Sequence, residues 1–124
     1  MKYSIDFLKW HDVVEHVAFI KIDNIILEIF IPYCSVKILD QSQIFAHLEA
    51  EILDEYKVNL THRDIGIYQI DQGLSYSLVG ILQDGILTIN HINFFDDVLL
   101  SQYYYLNGQK IEWKVDRIHL ILDE

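Results

Sequence analysis

Four short turn signals divide this chain of 124 residues, and they constrain its fold more than any other feature of the sequence. Asp23-Asn24, Asp84-Gly85 and Asn107-Gly108 are two-residue signals, and Asp71-Gln72-Gly73 is a three-residue signal. Asn, Asp and Gly tolerate the positive φ angles that tight hairpin turns require. Each signal therefore predicts a pair of antiparallel strands, so the chain should consist largely of β-hairpins.

The turns also predict which residues face each other across each hairpin, because side chains alternate strictly between the two faces of a strand. The expected cross-strand pairs are Ile22 with Ile25, Ile20 with Leu27, Ala18 with Ile29, Ile70 with Leu74, Tyr68 with Tyr76, Leu82 with Leu87, Leu78 with His91, Leu106 with Gln109, Tyr104 with Ile111 and Gln102 with Trp113. A last strand, Ile118 to Leu122, has apolar residues on both faces. That strand is expected to be either central in a sheet or covered by a partner copy.

One segment has a helical pattern instead. From Ser42 to Tyr56, apolar residues recur at helical spacing while acidic residues occupy the opposite face. A short second helix is expected around Asp96 to Leu100. The sequence therefore predicts an α+β fold over a single domain, residues 1–124: a twisted, mainly antiparallel sheet built from hairpins, with one long amphipathic helix packed on a face.

The charge balance restricts the classes of partner. The chain has nineteen acidic and nine basic residues, a formal charge of −10, yet 52% of its residues are hydrophobic. Such a chain can form a core, so its excess negative charge belongs on a folded surface. That surface repels nucleic acid and membranes, and it attracts basic proteins. The N-terminus lacks a signal-peptide pattern and no apolar run reaches the ~20 residues of a membrane span, so a cytoplasmic protein is expected.

No sequence motif indicates catalysis. Cys34 has no neighbouring base that could activate it as a nucleophile. The six histidines show no spacing typical of a metal site, although His47 lies four residues before Glu51 and could pair with it on the predicted helix. We therefore expect a protein that is not an enzyme and that binds neither a metal nor a cofactor.

Two tyrosines are the most specific candidates for a binding surface. In a hairpin about Asn107-Gly108, Tyr104 would point into the core, and Tyr103 and Tyr105 would point outward, opposite Glu112 and Lys110. Tyrosine is favoured at protein interfaces, although a second layer of structure could instead cover these rings. The acidic helix face and the Asp96-Asp97 pair would supply charge. The predicted partner-binding residues are Tyr103, Tyr105, Glu112, Glu51, Asp54, Asp96 and Asp97.

The whole-chain pattern resembles that of the small acidic immunity proteins that bacteria make against their own toxins. The resemblance lies in the chain's size, its net charge, its single cysteine, the absence of catalytic motifs and the Trp10-His11-Asp12 sequence before the first hairpin. It implies an inhibitor that occludes a basic toxin domain, such as a nuclease. The alternatives are a nucleic-acid mimic that inhibits a DNA- or RNA-binding protein, and a small dimeric ligand-binding domain.

Overall fold

The structure, a computed structural model, describes residues 3–31, 44–71 and 73–122 of the chain. Within these residues the protein is mostly β, with eleven strands and one short α-helix. The chain divides into two compact units. The first unit comprises Met1–Glu49 and Ile118–Glu124, and the second comprises Ala50–Arg117. The expectation of a single domain over the whole chain stays a prediction.

Strands account for most of the described residues. Their bounds are β1 Tyr3–Trp10, β2 Val17–Ile22, β3 Ile25–Phe30, β4 Ile44–Glu51, β5 Lys57–Leu60, β6 Gly66–Gln69, β7 Tyr76–Gln83, β8 Ile86–Ile89, β9 Ile92–Phe95, β10 Lys110–Val115 and β11 Arg117–Leu122. The helix α1 spans Asp97–Gln102, and a 3-10 turn spans Tyr104–Leu106.

The first unit is a closed five-stranded barrel with the strand order β1-β2-β3-β11-β4. β1 pairs antiparallel with both β2 and β4, β2 pairs antiparallel with β3, and β3 runs parallel to β11. A five-stranded barrel closed in this order is the Greek-key arrangement of OB-fold barrels. β11 is central between β3 and β4, which is one of the two positions expected from its apolar faces.

Alternating apolar residues fill the barrel. The hairpin about Asp23-Asn24 is confirmed, including the pairing of Ile20 with Leu27, and both turn residues adopt positive φ. The completely or almost completely buried side chains of the barrel are Ile5, Val17, Ala18, Ile20, Ile22, Leu27, Ile29, Ala46, Leu48, Ile118 and Leu120. They come from all five strands, so the barrel closes around one apolar core.

The second unit is a six-stranded sheet with the order β5-β10-β7-β8-β9, and β6 also pairs with β7. β7 is the central strand, and its residues Tyr76–Gly80 are buried in succession. The hairpin about Asp84-Gly85 is confirmed by the pairing of Leu82 with Leu87. The prediction that Leu78 pairs with His91 is wrong, because β8 ends at Ile89.

The prediction of an α+β fold with a long helix from Ser42 to Tyr56 is wrong. Residues Ile44–Glu51 form β4, and Ser42 lies outside the described residues. The same segment also alternates with a period of two, since Ala46 and Leu48 are buried while Phe45 is 52% exposed. Pairing with β1 in the closed barrel decides between the two periods, because tertiary context overrides a local helical pattern.

The predicted hairpin about Asn107-Gly108 is also wrong, although a turn does occur there. Asn107 has φ −53° and ψ 135°, and Gly108 has φ 81°. These are the angles of a type II turn, whereas a two-residue hairpin requires a turn of type I′ or II′. The residues before the turn form α1 and the 3-10 turn, so they provide no strand for β10, which pairs with β5 and β7 instead.

The strands on either side of Asp71-Gln72-Gly73, β6 and β7, pair antiparallel as predicted, but the predicted register is wrong. Gln69 pairs with Tyr76, so the register differs by one residue from the expected pairing of Tyr68 with Tyr76. Asp71, not Gly73, adopts the positive φ, and Gln72 lies outside the described residues. The predicted short helix near Asp96 and the last strand are both present, as α1 and β11.

Candidate functional site

A run of three tyrosines in the second unit follows the short helix α1. Asp96 caps this helix, because its Oδ1 accepts hydrogen bonds from the backbone N–H groups of Val98 and Leu99 at 2.9 and 3.1 Å. An aspartate there satisfies amide groups that no helical carbonyl reaches, and its charge suits the positive end of the helix. Leu99 and Leu106 are buried and anchor the segment to the core.

The tyrosine rings form a continuous series of contacts from the core to the surface. Tyr56 stacks on the completely buried Trp113 at a centroid distance of 6.0 Å, and Tyr103 stacks on Tyr56 at 6.5 Å. Tyr105 contacts Tyr103 at 6.2 Å, and Tyr104 meets Tyr105 edge to face at 6.4 Å. Tyr104 and Tyr105 are 66% and 67% exposed. We call Tyr56, Tyr103, Tyr104 and Tyr105 the tyrosine cluster.

The hydroxyl of Tyr56 joins the cluster to the helix cap. It donates to the carboxylate of Asp96, with oxygen–oxygen distances of 2.9 Å to Oδ2 and 3.1 Å to Oδ1. Burial, followed by the interaction with Asp96, raises the pKa of Tyr56 to about 12. Tyr56 therefore remains a protonated donor at neutral pH, and Asp96 holds both the helix and the base of the cluster.

Two apolar side chains in the same segment add to the exposed surface. Phe95 precedes the cap and is 52% exposed, and Leu100 on α1 is 43% exposed. The helix lies against the β7–β8 turn, because a Cβ atom at Gly85 would come within 2.7 Å of the Cβ of Leu100. The N–H of Asp96 also donates to the carbonyl of Gly85 at 3.0 Å. The turn thus supports the segment that exposes these side chains.

Four of the seven predicted partner-binding residues lie in this segment, namely Asp96, Asp97, Tyr103 and Tyr105. Asp97 is exposed, and Tyr103 is half-buried between Tyr56 and Tyr105. The prediction that Tyr104 points into the core is wrong, since it occupies a 3-10 turn and is mostly exposed.

Glu112 is not part of this cluster. Successive side chains of a strand point to opposite faces, so Glu112 on β10 faces away from the side of the sheet that buries Trp113. Its Oε2 accepts hydrogen bonds from Nη1 of Arg63 at 2.5 Å and from the hydroxyl of Ser77. The bonds from Ser77 and Arg63 hold the pKa of Glu112 below its ordinary value. Glu112 is thus an internally paired carboxylate.

We expect the replacement of Glu112 by Gln to lower the free energy of unfolding at pH 7 by about 1.5–3 kcal/mol, the usual contribution of a hydrogen bond to a charged group. Because the folded pKa is depressed, this contribution is complete above the ordinary value of 4.5 and is lost as the pH falls through the lower folded pKa. The two proteins should therefore converge in stability in acid. Denaturant titrations at pH 7 and pH 3 measure this difference, with the exposed Asp64→Asn as a control. An equal difference at both pH values would contradict the prediction.

The other two predicted acids do not share an acidic helix face. The side chain of Glu51 accepts two hydrogen bonds from Arg117, each at 3.2 Å. Asp54 is exposed after the end of β4 and lines a cavity of about 310 Å³ that Lys57 and Lys114 also line. The two carboxylates were expected to act together on one helix. Glu51 instead forms an ion pair, and Asp54 lines a cavity that has both acidic and basic side chains.

Tyr56 is the member of the cluster that sequence reasoning missed, because it was placed on the apolar stripe of a helix. Its long-range contacts with Trp113 and Asp96 follow from the sheet and leave no local pattern in the sequence. His47 contacts Glu49 at 3.2 Å and not the predicted Glu51. No group of three His, Cys, Asp or Glu side chains in the described part of the chain could hold a metal ion, and Cys34 lies outside that part.

The fold and the site define a mostly β protein, in which a small barrel is combined with a sheet unit that exposes an aromatic surface. The chain belongs to the family described as "Uncharacterised conserved protein UCP019853", whose model matches residues 1–121. No curated protein and no solved structure matches the chain. These comparisons give no support to the expected resemblance to toxin-immunity proteins. Among the described residues, no helix is long and apolar enough to cross a membrane.

Proposed function

We propose that the protein is a non-enzymatic binding protein and that its tyrosine cluster docks on a basic segment of a partner protein. The observation that carries the proposal is the exposure of Tyr104 and Tyr105, about two thirds of each side chain. Large apolar rings cost little conformational entropy to immobilise, and tyrosine is enriched among the residues that contribute most to protein–protein affinity.

The stacking order supports a docking role for these rings. Tyr105 rests on Tyr103, which rests on Tyr56 and so on the buried Trp113. A side chain supported in this way is pre-positioned, so less freedom is lost when a partner binds. An exposed ring with no such support would be a weaker anchor.

The local charge supports a basic partner. No lysine or arginine occurs between Arg63 and Lys110, a segment that includes most of the cluster. The acidic residues of that segment are Asp64, Asp71, Asp84, Asp96 and Asp97. Complementary charge accelerates the encounter of two proteins and selects against acidic competitors.

The alternative of a nucleic-acid mimic gains no specific observation in its favour. A nucleic-acid mimic needs carboxylates in extended rows, whereas Glu51 and Glu112 are paired with arginines of the same unit. OB-fold barrels often bind oligonucleotides, but a net charge of −10 opposes such a ligand, and a fold alone does not assign a function.

The test is affinity capture from a lysate of the source cell, followed by calorimetry with the purified captured protein. Wild-type protein should capture a basic protein in stoichiometric amount, and Tyr105→Ala should weaken its binding by about 1–3 kcal/mol. Leu60→Ala, which removes a 61% exposed side chain elsewhere in the same unit, should leave the affinity unchanged. Unchanged binding by a Tyr104→Ala/Tyr105→Ala double variant, or an acidic captured protein, would refute the proposal.

A further inference from the structure

The loop between β1 and β2, in the barrel unit, borders a shallow cavity of about 370 Å³ that is wide open to solvent. The cavity is lined by Trp10, His11, Val14, Glu15 and His16. Its volume falls in the range of small-molecule sites, and its walls combine three aromatic rings with one carboxylate. None of these residues belongs to the tyrosine cluster, so the cavity is a separate candidate site.

Hydrogen bonds to His11 hold the loop in shape. Its Nδ1 accepts the backbone N–H groups of Val13 and Val14 at 3.0 and 2.9 Å, and its own backbone N–H donates to the carbonyl of Val17 at 2.8 Å. A ring nitrogen that accepts two N–H groups has no hydrogen atom to donate, so Nε2 is the nitrogen that can donate to a neighbour. Nε2 lies 3.7 Å from Oε1 of Glu28.

The far end of the loop is fixed as well. His16 has φ 64°, a left-handed conformation that residues other than glycine rarely adopt. Its carbonyl accepts a hydrogen bond from the N–H of Ile31 at 2.7 Å, and its ring contacts Phe30 at a centroid distance of 5.9 Å. These contacts fix the two histidines of the cavity lining, which lowers the entropy cost of ordering them when a ligand binds.

The charge around the loop selects the sign of the ligand. Glu15 lines the cavity, Asp12 is on the same loop, and Glu28 faces His11 from β3. Lys9 is the basic residue that immediately precedes the lining residues, and its Nζ lies 5.3 Å from the ring centroid of Phe19. An indole ring is the best aromatic partner for a cation, and a carboxylate adds an ion pair.

We propose that this cavity binds a small organic cation of the guanidinium type, with the cation against the indole of Trp10 and its N–H groups donating to Glu15. Anionic ligands such as nucleotides are repelled by the same carboxylates. The proposal is independent of the function proposed for the tyrosine cluster.

The test is a titration of ¹⁵N-labelled full-length protein with methylguanidinium, followed by NMR, with neutral methylurea as the isosteric control. Saturating shifts are expected at the Trp10 indole N–H and at the amides of residues 11–16. A dissociation constant on the order of 1 mM is expected for so small a ligand. The indole N–H signal of the buried Trp113 serves as an internal reference whose chemical shift should not change.

A second ligand, N-acetyl-arginine amide, tests whether the cation comes from a peptide. Tighter binding than that of methylguanidinium favours an arginine side chain as the natural ligand, and equal binding favours a free small molecule.

Matched variants test the two contacts. Glu15→Gln should weaken binding roughly threefold, as expected for the loss of an exposed ion pair, and Trp10→Leu should remove the saturating shifts. Asp12→Asn, which removes a loop carboxylate that does not line the cavity, should have the smaller effect. Equal shifts with methylurea, shifts centred on Tyr104 and Tyr105, or equal losses in Glu15→Gln and Asp12→Asn would overturn the proposal.

Discussion

Replacing Gly80 by alanine is expected to destabilise the second unit by about 3 kcal/mol or more, at the upper end of what overpacking of a core costs. Gly80 lies in the central strand β7, where an added Cβ atom would come within 2.3 Å of the carbonyl oxygen of Thr88 and 2.9 Å of Cγ1 of Ile89. Thr88 is a backbone neighbour on β8 and cannot turn away, so the two strands must separate. Loss of pairing here would also weaken the support of the Asp84-Gly85 turn.

Denaturant unfolding followed by tryptophan fluorescence measures this effect, because Trp113 is buried in the same unit. Gly73→Ala is the matched control. A Cβ at Gly73 meets no atom within 4 Å, and Gly73 does not have a positive φ. That variant should be unchanged or more stable by up to about 1 kcal/mol, because alanine reduces the freedom of the unfolded chain. Equal unfolding midpoints for the two variants would contradict the packing at Gly80.

The second large effect is expected for Asp96→Ala, which should cost about 2–3 kcal/mol. The substitution removes the cap of α1, worth about 1 kcal/mol, and leaves the half-buried hydroxyl of Tyr56 without its acceptor, worth about 1–2 kcal/mol. The pKa of Tyr56 should fall from about 12, although burial, its largest cause, remains. Ultraviolet titration of tyrosine ionisation, combined with thermal unfolding, measures both effects.

Asp96→Asn separates the two roles of Asp96. Asparagine caps helices as well as aspartate does, so most of the stability should be retained. The negative charge next to Tyr56 is lost, however, so the pKa of Tyr56 should still fall. An Asn variant as unstable as the Ala variant would show that the cap is not the main contribution, and an unchanged Tyr56 titration in both would contradict the contact with Asp96.

The local turn chemistry was predictable, and the closure of the barrel was not. Asp23-Asn24 and Asp84-Gly85 directed their hairpins correctly because both residues of each turn tolerate positive φ. The hairpin predicted about Asn107-Gly108 does not form, because the same dipeptide also suits a type II turn that follows a helix. The segment Ile44–Glu51 fits both the helical period and the strand period of two. The pairing of β4 with the distant strands β11 and β1 decides between them, and this pairing leaves no local signal in the sequence.

The candidate site was predicted in part, for a similar reason. Tyr103 and Tyr105 were selected by residue type, which does not depend on the element that carries them. The prediction that they share a surface with Glu112 depended on a strand pairing that does not form, and this prediction is wrong. Asp96 and Asp97 were predicted as surface charge, and the bond from Tyr56 to Asp96 emerges only from the tertiary structure.

The first and last residues of the sheet unit lie next to each other. Glu51 accepts a backbone hydrogen bond from Asp116 at 2.9 Å, and its side chain binds Arg117. β4 and β11 are adjacent strands of the barrel, and the residues of the sheet unit form the chain connection between them. The entropy of closing a loop rises only with the logarithm of its length, so a connection as long as this one costs the barrel little more than a short loop would.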